Sequence, residues 1–306
     1  MSSVQAVARR ARKEQRARTA ASLCGYRTDC TRSYSLSAIN ESAAAWRAFD
    51  FKADVQLRQR HSRARQECWI RQQHSGLLLA VESGAWCLGN ANASHETSQE
   101  TSSSASSRRQ SRRVELPNGM SYTLPPGHVA ADDTFARALH TSLDGQSLND
   151  FGAGVGQYGR ALLSLDPAFA WRGYDGAGDV EAASEGFVGF FDLTLPTLSL
   201  PRADWVMSLE VAEHVPHEEE FAVIRNLHAH NTRGVILSWG SLGQPGVAHV
   251  NNHNQSYVSD IFEQLGYRRV AAVESALRHA AKASPWLSRN VLVLERVHVL
   301  STSTSG

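Results

Sequence analysis

The chain has 306 residues, 42% of them hydrophobic and 20% charged, and a net charge of +1. That length holds one α/β domain of ordinary size plus an extension. No apolar stretch approaches the roughly 18 residues of a membrane span, and the first residues lack the apolar core of a secretory signal.

The charge is unevenly spread. Residues 1–115 hold 19 Lys and Arg against 10 Asp and Glu, and residues 116–306 hold 12 against 20. The acidic part argues against a broad nucleic-acid footprint there. The basic part reads as a partly disordered N-terminal extension, with contact to an anionic partner as the alternative. Its first 23 residues are Arg-rich with one acid, Glu14, so organelle import stays open beside a cytoplasmic location. All four cysteines (Cys24, Cys30, Cys68, Cys87) lie in this extension without C-x-x-C spacing. A zinc ribbon is therefore unsupported, and free thiols are the default.

Within the extension, residues 1–35 have no apolar period. Residues 42–73 suit one or two helices, and Leu77–Val81 suits a short strand before Ser83-Gly-Ala-Trp-Cys87. Residues 94–111 are a Ser/Thr-rich linker. The main domain spans 116–300, and a tail of 301–306 follows. A helix is expected over Ala131–Leu143 and a strand over Ser147–Phe151. Tyr158, Ala161, Leu162 and Leu165 then recur at helical spacing. A strand over Ala170–Tyr174 follows. Phe221, Ile224 and Leu227 mark another helix, opened by the acidic run Glu218–Glu220. His217, His228 and His230, in or beside it, read as solvent-facing. Tyr257, Ile261 and Leu265 mark a third helix, closed by Gly266. Strands over Arg269–Val273 and Asn290–Arg296, with a loop over Ser275–Ser288, end the pattern. Alternating strands and helices predict an α/β fold, a mostly parallel sheet with an antiparallel last strand and helices on both faces.

The run Asp150-Phe-Gly-Ala-Gly-Val-Gly-Gln-Tyr-Gly159 puts a carboxylate at a strand end, glycines in the turn and a helix immediately after. Glycine lets backbone approach a ligand, and the first helical turn offers unpaired N–H groups. Gly154-x-Gly156-x-x-Gly159 satisfies the dinucleotide pattern, and Asp175 follows 21 residues after Gly154, where a ribose-binding acid belongs. NAD and S-adenosylmethionine both fit this spacing. Asp150 favours the second, because a carboxylate repels a pyrophosphate and attracts the ammonium of a methionine moiety.

Read as Asp150-x-Gly152-x-Gly154-x-Gly156, the segment resembles the first motif of the class I S-adenosylmethionine-dependent methyltransferases. Phe190-Phe191-Asp192-Leu193, Asp204–Val215 and Gly234–Trp239 resemble the family's third, fourth and fifth strands with their loops. The resemblance covers roughly residues 128–298. Asn149 departs from it, standing where the family has an apolar residue. The resemblance implies that Asp150, Gly152, Gly154 and Gly156 hold the methionine end. It gives the ribose to Asp175, the adenine to Asp192 with Leu193, and the border of the transferred methyl to Leu209 or Glu210.

Glu210-Val-Ala-Glu213-His214 is the second notable run. On a helix, positions i, i+3 and i+4 share a face, and two carboxylates with an imidazole suit Mg²⁺ or a similar divalent metal. The run is similar to that of ubiquinone-pathway O-methyltransferases and small-RNA 2′-O-methyltransferases, where a divalent ion holds the substrate hydroxyl. Glu210, Glu213 and His214 are the candidate metal ligands, with His249 or His253 as a fourth. Glu213, His214 and His249 are the candidate catalytic residues, His249 as general base if no metal is used. The expected activity is methyl transfer to a small-molecule hydroxyl. An RNA-directed 2′-O-methyltransferase using the basic arm, an NAD-dependent oxidoreductase, and a cofactor-binding protein without catalysis are the alternatives.

Overall fold

The computed structural model describes residues 55–66, 68, 112–115, 121–124, 131–195, 197–246 and 249–297. The expectations for residues 1–35, the strand at 77–81, the turn at 83–87, the linker 94–111 and the tail 301–306 lie outside them. Helix α1 (55–66) belongs to the N-terminal extension. Strands β1 (Arg112–Glu115) and β2 (Ser121–Leu124) form an antiparallel pair. The main domain then runs α2 (Asp133–Ser142), β3 (Leu148–Phe151), α3 (Gln157–Leu165), β4 (Trp171–Asp175), α4 (Val180–Ala183), β5 (Val188–Phe190) and β6 (Ala203–Leu209). Two 3₁₀ turns, Ala212–His214 and His217–Glu219, lead into α5 (Glu220–Ala229). After it come β7 (Asn231–Ser238), α6 (Gln255–Gln264), β8 (Tyr267–Arg269), α7 (Ala271–Ala280), α8 (Pro285–Asn290) and β9 (Leu292–Arg296).

The strand order is β5-β4-β3-β6-β7-β9-β8. The first five strands of that order run parallel, and β9 is antiparallel to both β7 and β8. Successive residues of a strand point to opposite faces, and the apolar runs divide accordingly. Val206, Val235, Leu237, Leu292 and Leu294 join Val223, Ile224 and Leu227 of α5 and Val258, Ile261 and Phe262 of α6 in one core. Met207, Ile236 and Val293 join Phe135 and Leu139 of α2, Leu162 of α3, Leu277 of α7 and Leu287 of α8 in the other. Burial on both faces is why these strands read as continuous apolar runs. This is the Rossmann-like sheet that the resemblance implies, with helices on both faces. Winding reverses between β3 and β6, so their carboxyl ends flank the crevice where such sheets bind ligands.

The C-terminal edge corrects two expectations. The strand expected over 269–273 ends at Arg269, and the loop expected over 275–288 contains α7 and α8. Good helix formers (Ala271, Ala272, Ala276, Leu277, Ala280) outweigh the short alternation around Val270. Pro285 opens α8, where its missing N–H costs nothing. Asn149 is fully buried on β3, and its Nδ2 donates to the Pro201 carbonyl at 2.7 Å. Cys68 is disulfide-bonded to a cysteine outside the described residues, which corrects the free-thiol expectation for this position.

The solvent-facing reading of three histidines also fails. His228 and His230 are buried and His217 is half-buried. The Tyr267 hydroxyl lies 3.1 Å from His228 Nδ1 and accepts the Asn231 side-chain amide at 2.9 Å, so burial comes with hydrogen bonds. Burial first, then the charges of Arg296 and Arg202, push the His228 imidazole down to about 3. An unfolded histidine titrates near 6.5. As pH falls below that value the unfolded chain binds a proton that the folded chain refuses, so stability drops. The loss between pH 6.5 and 5 should be roughly 2 kcal/mol. Urea unfolding of His228→Gln at the two pH values should lack most of this difference; an unchanged difference would place its origin elsewhere.

Candidate active site

The turn after β3 is built from left-handed glycines. Gly152, Gly154 and Gly156 have φ of +81°, +57° and +80°. At Gly152 an added Cβ would run into the Val211 methyls. The turn is anchored by Gly152 N–H and Ala153 N–H, which donate to the Tyr174 carbonyl at 2.8 and 3.0 Å. Gly156 then stands as N-cap of the nine-residue α3, whose N–H groups face the turn.

Three acids surround this turn. Asp150 is buried on β3. Burial is the main reason its carboxyl rises to about 7; the Trp171 indole opposes that shift and the Asp175 carboxylate adds to it. Asp175, ending β4, accepts the Gly154 N–H at 2.9 Å through Oδ2 and the Ala177 N–H at 2.8 Å through Oδ1. It therefore shapes the glycine turn directly, with one lone pair per oxygen already used. Burial raises its carboxyl, against those two amide hydrogen bonds.

Asp192 follows β5 and is tied more tightly. Its Oδ1 accepts the Thr194 N–H at 2.9 Å and hydroxyl at 2.6 Å, and its Oδ2 pairs with Arg60 Nη1 of α1 at 2.7 Å. Arg60 also donates to the Thr194 hydroxyl. Next to it, His61 stacks on Phe190 with ring centroids 4.3 Å apart and lies 2.8 Å from Glu181. Gly178 lets α1 come this close, because a Cβ there would overlap the Ala64 backbone. Leu57 packs against the core cluster that includes Phe151, Phe191 and Leu193. Part of the basic extension thus covers the carboxyl ends of β4 and β5. Leu193 is buried and Leu209 half-buried.

On the other side of the crevice, β6 ends at Leu209 and the chain turns sharply at Glu210, whose φ is +54°. Only small or short polar side chains adopt that conformation readily. Ser238 stabilises it: its hydroxyl accepts the Glu210 N–H at 2.9 Å. The Glu210 carboxylate accepts from the Gln244 amide at 2.7 Å, and Asn290 Nδ2 approaches it at 3.4 Å and Gln244 Oε1 at 2.7 Å. Glu210 precedes the 3₁₀ turn instead of sharing an α-helical face with Glu213 and His214, so the i, i+3, i+4 geometry is replaced.

The structure brings Glu213 and His214 together with His249 of the β7–α6 loop, their ligand atoms all within 4.8 Å of one another. The two imidazoles meet edge to face at 4.9 Å. The His249 ring is wedged against the backbone of Gly240 and Gly246. Glu213 is 0% exposed, and neither of its carboxylate oxygens has a well-formed hydrogen bond; buried His249 Nδ1 and Asn252 Oδ1 share that condition. Burial is the largest reason the Glu213 carboxyl rises to about 8, with the Glu210 carboxylate second. Buried polar atoms left without partners demand an explanation, and a bound cation is one. His253, the other candidate fourth ligand, points elsewhere: its Nε2 lies 2.8 Å from Glu220.

Sequence reasoning missed Arg60, Asn290 and Glu220. Arg60 and Asn290 meet their partners across 132 and 80 residues, and no local pattern announces such pairs. Glu220 is hidden inside the run Glu218–Glu220, of which it alone is buried.

No family model matches the chain, and no curated protein matches it. Solved structures do. One is magnesium protoporphyrin IX methyltransferase (ChlM) from Synechocystis PCC 6803 with bound SAM, at 20% identity and a TM-score of 0.37, covering 54% of this chain and 79% of that one. Another is the methyltransferase domain of bacterial CtHen1-C, at 17% identity and a TM-score of 0.38, covering 45% and 86%. A third is human N-acetylserotonin methyltransferase (ASMT) in complex with SAM, at 15% identity and a TM-score of 0.36, covering 53% and 51%. At such distances, function has to be read from the residues of the site.

Proposed function

We propose that the chain is an S-adenosylmethionine-dependent methyltransferase acting on a small-molecule hydroxyl. The observation that carries this reading is the buried Asp150 carboxyl beside a turn of left-handed glycines. Such a turn admits backbone contact with a ligand, and a desolvated carboxyl there favours an ammonium over a phosphate. The residues fit the cofactor. Asp150 would pair with its ammonium, Gly152, Gly154 and Gly156 would cradle the methionine end, and Asp175 retains lone pairs for the ribose hydroxyls. Leu193 and Asp192 would border the adenine under α1, and Leu209 and Glu210 the reacting end. The bound sulfonium supplies an already activated methyl group, so what the protein adds is alignment of the acceptor oxygen.

Glu213, His214 and His249 would hold a divalent cation, a role that fits buried Glu213 oxygens without a well-formed hydrogen bond. That set is one carboxylate and two imidazoles; Glu210, engaged by Gln244, stands beside it. The ion would supply a lowered hydroxyl pKa and a fixed oxygen position. A second reading rests on His249 Nδ1, a buried atom without a hydrogen bond, which serves as general base where no ion is used.

Thermal-shift titration with S-adenosylmethionine, S-adenosylhomocysteine and NADH tests the cofactor. A ligand at 100 times its dissociation constant adds roughly 2.7 kcal/mol. Stabilisation by the two sulfur compounds and not by NADH is expected, and stabilisation by NADH alone would overturn the reading. An acceptor screen with and without EDTA then tests the cation.

A further inference from the structure

Glu220, the first residue of α5, is 1% exposed and sits at the centre of a saturated hydrogen-bond cluster. Its Oε2 takes Asn251 Nδ2 at 3.0 Å and faces His253 Nε2 at 2.8 Å and His217 Nδ1 at 3.3 Å. Its Oε1 accepts the Tyr257 hydroxyl at 2.7 Å. Burial works to raise this carboxyl, and the hydrogen bonds from His217, His253 and Tyr257 with the His253 charge overcome it, holding it well below the usual range. The contrast with Glu213 is sharp. Both are buried glutamates near two histidines, yet Glu220 is fully partnered and Glu213 is not.

Two of the Glu220 partners, Asn251 and His253, belong to the segment that carries His249. The same segment hangs from the backbone of Glu213, whose carbonyl accepts Val250 N–H at 2.8 Å and Asn251 N–H at 3.0 Å. Further ties are Trp239 Nε1 to the Asn251 carbonyl at 2.6 Å and His253 N–H to the Gly240 carbonyl at 3.0 Å. The His253 ring is also stacked on Tyr257 at 4.0 Å. His249 thus extends from a segment pinned at the Glu213 carbonyl on one side and at the Glu220 carboxylate on the other. Glu220 is not one of the three clustered ligand residues, and this segment links it to them.

We propose that Glu220 is the positioning residue of the candidate active site: by docking Asn251 and His253 it fixes His249 against Glu213 and His214. The assignment of His249 as ligand or base rests on the function proposed above; the docking itself does not. Glu220 adds two buried side-chain contacts to the backbone ties of the segment, and its removal releases the Asn251 and His253 side chains together. Residues of this outer kind typically change metal affinity by about 10- to 100-fold.

The test uses the full chain and histidine-selective ¹⁵N/¹³C labelling. Native protein should show a through-space contact between the His214 and His249 rings. Glu220→Ala should abolish it, and Glu220→Gln, which keeps one oxygen acceptor, should restore it in part. Mn²⁺ affinity should fall 10- to 100-fold in Glu220→Ala, and S-adenosylmethionine affinity should stay within about twofold. Should Glu220→Ala fail to fold, the double variant Asn251→Ala with His253→Ala cuts the same link from the loop side, leaving Glu220 with His217 and Tyr257. Loss of the ring contact in that variant supports the proposal. Persistence of the contact in either folded variant overturns it. Mn²⁺-induced broadening of His217 and His253 before His214 and His249 would also overturn it, by making Glu220 a ligand. If native protein binds no sulfur cofactor, the methyltransferase reading falls, and the ring contact still decides the role of Glu220.

Discussion

Glu213→Gln should abolish Mn²⁺ binding at the Glu213–His214–His249 cluster, with a loss of at least about 100-fold, and leave the fold at least as stable as before. The two halves of this result have separate causes. Glu213 is buried, and its two oxygens have no well-formed hydrogen bonds. A carboxylate in that position opposes folding at neutral pH, since burial and then the neighbouring Glu210 push its carboxyl up to about 8. The amide is isosteric and neutral, so it removes a desolvation cost without opening a cavity. As a ligand it is far poorer, because a hard divalent cation is held by carboxylate charge as well as geometry. Calorimetric Mn²⁺ titration and urea unfolding on the same samples check both halves. Once an acceptor is known, methyl transfer should fall by about 10²- to 10⁴-fold, the range of a lost acid–base or positioning group. Undiminished Mn²⁺ affinity would place the cation elsewhere; a large loss of stability would make Glu213 a structural acid.

Gly152→Ala should be among the most damaging conservative changes in the cofactor wall, costing about 2–6 kcal/mol. Its backbone has φ of +81°, where a side chain adds strain of about 1–3 kcal/mol. The new methyl must also displace Val211, an overpacking cost of about 1–3 kcal/mol. Gly186→Ala is the control. Its φ is +76°, and nothing lies within 4 Å of an added Cβ, so it suffers strain alone. The excess loss at Gly152 over Gly186 in urea unfolding measures the clash. Equal losses would show that Val211 yields freely. Val211 follows Glu210 directly, so its displacement should also weaken Mn²⁺ binding in Gly152→Ala and not in Gly186→Ala.

The sheet was legible because burial on both faces writes long apolar runs into β6, β7 and β9, and because the Asp150–Gly156 turn needs residues that few other structures need. The last helices were not, since the stretch around Val270 carries a short alternation that masks the helix formers of Ala271–Ala280, whose Leu277 packs into the core. The cluster was legible in part. Glu213 and His214 are adjacent in sequence, and His249 stood out in a glycine-rich loop. What sequence spacing misjudged was the backbone at Glu210: it turns left-handed ahead of a 3₁₀ turn, so its carboxylate still neighbours Glu213 but is engaged by Gln244 and Asn290. Buried His228 and exposed Glu218 look alike in sequence, because polarity alone does not say whether a partner such as Tyr267 awaits.

The pairing of Arg60 with Asp192 sets an order on how the protein comes into being. The two residues are separated by 132 positions. A ribosome adding roughly 5–20 residues per second finishes α1 about 7–26 seconds before Asp192 leaves it. Until then α1 has no β5 to lie on, and Leu57 and Ala64 face water. Docking of α1 is therefore a late event in synthesis, and the nascent chain carries an exposed amphipathic segment throughout.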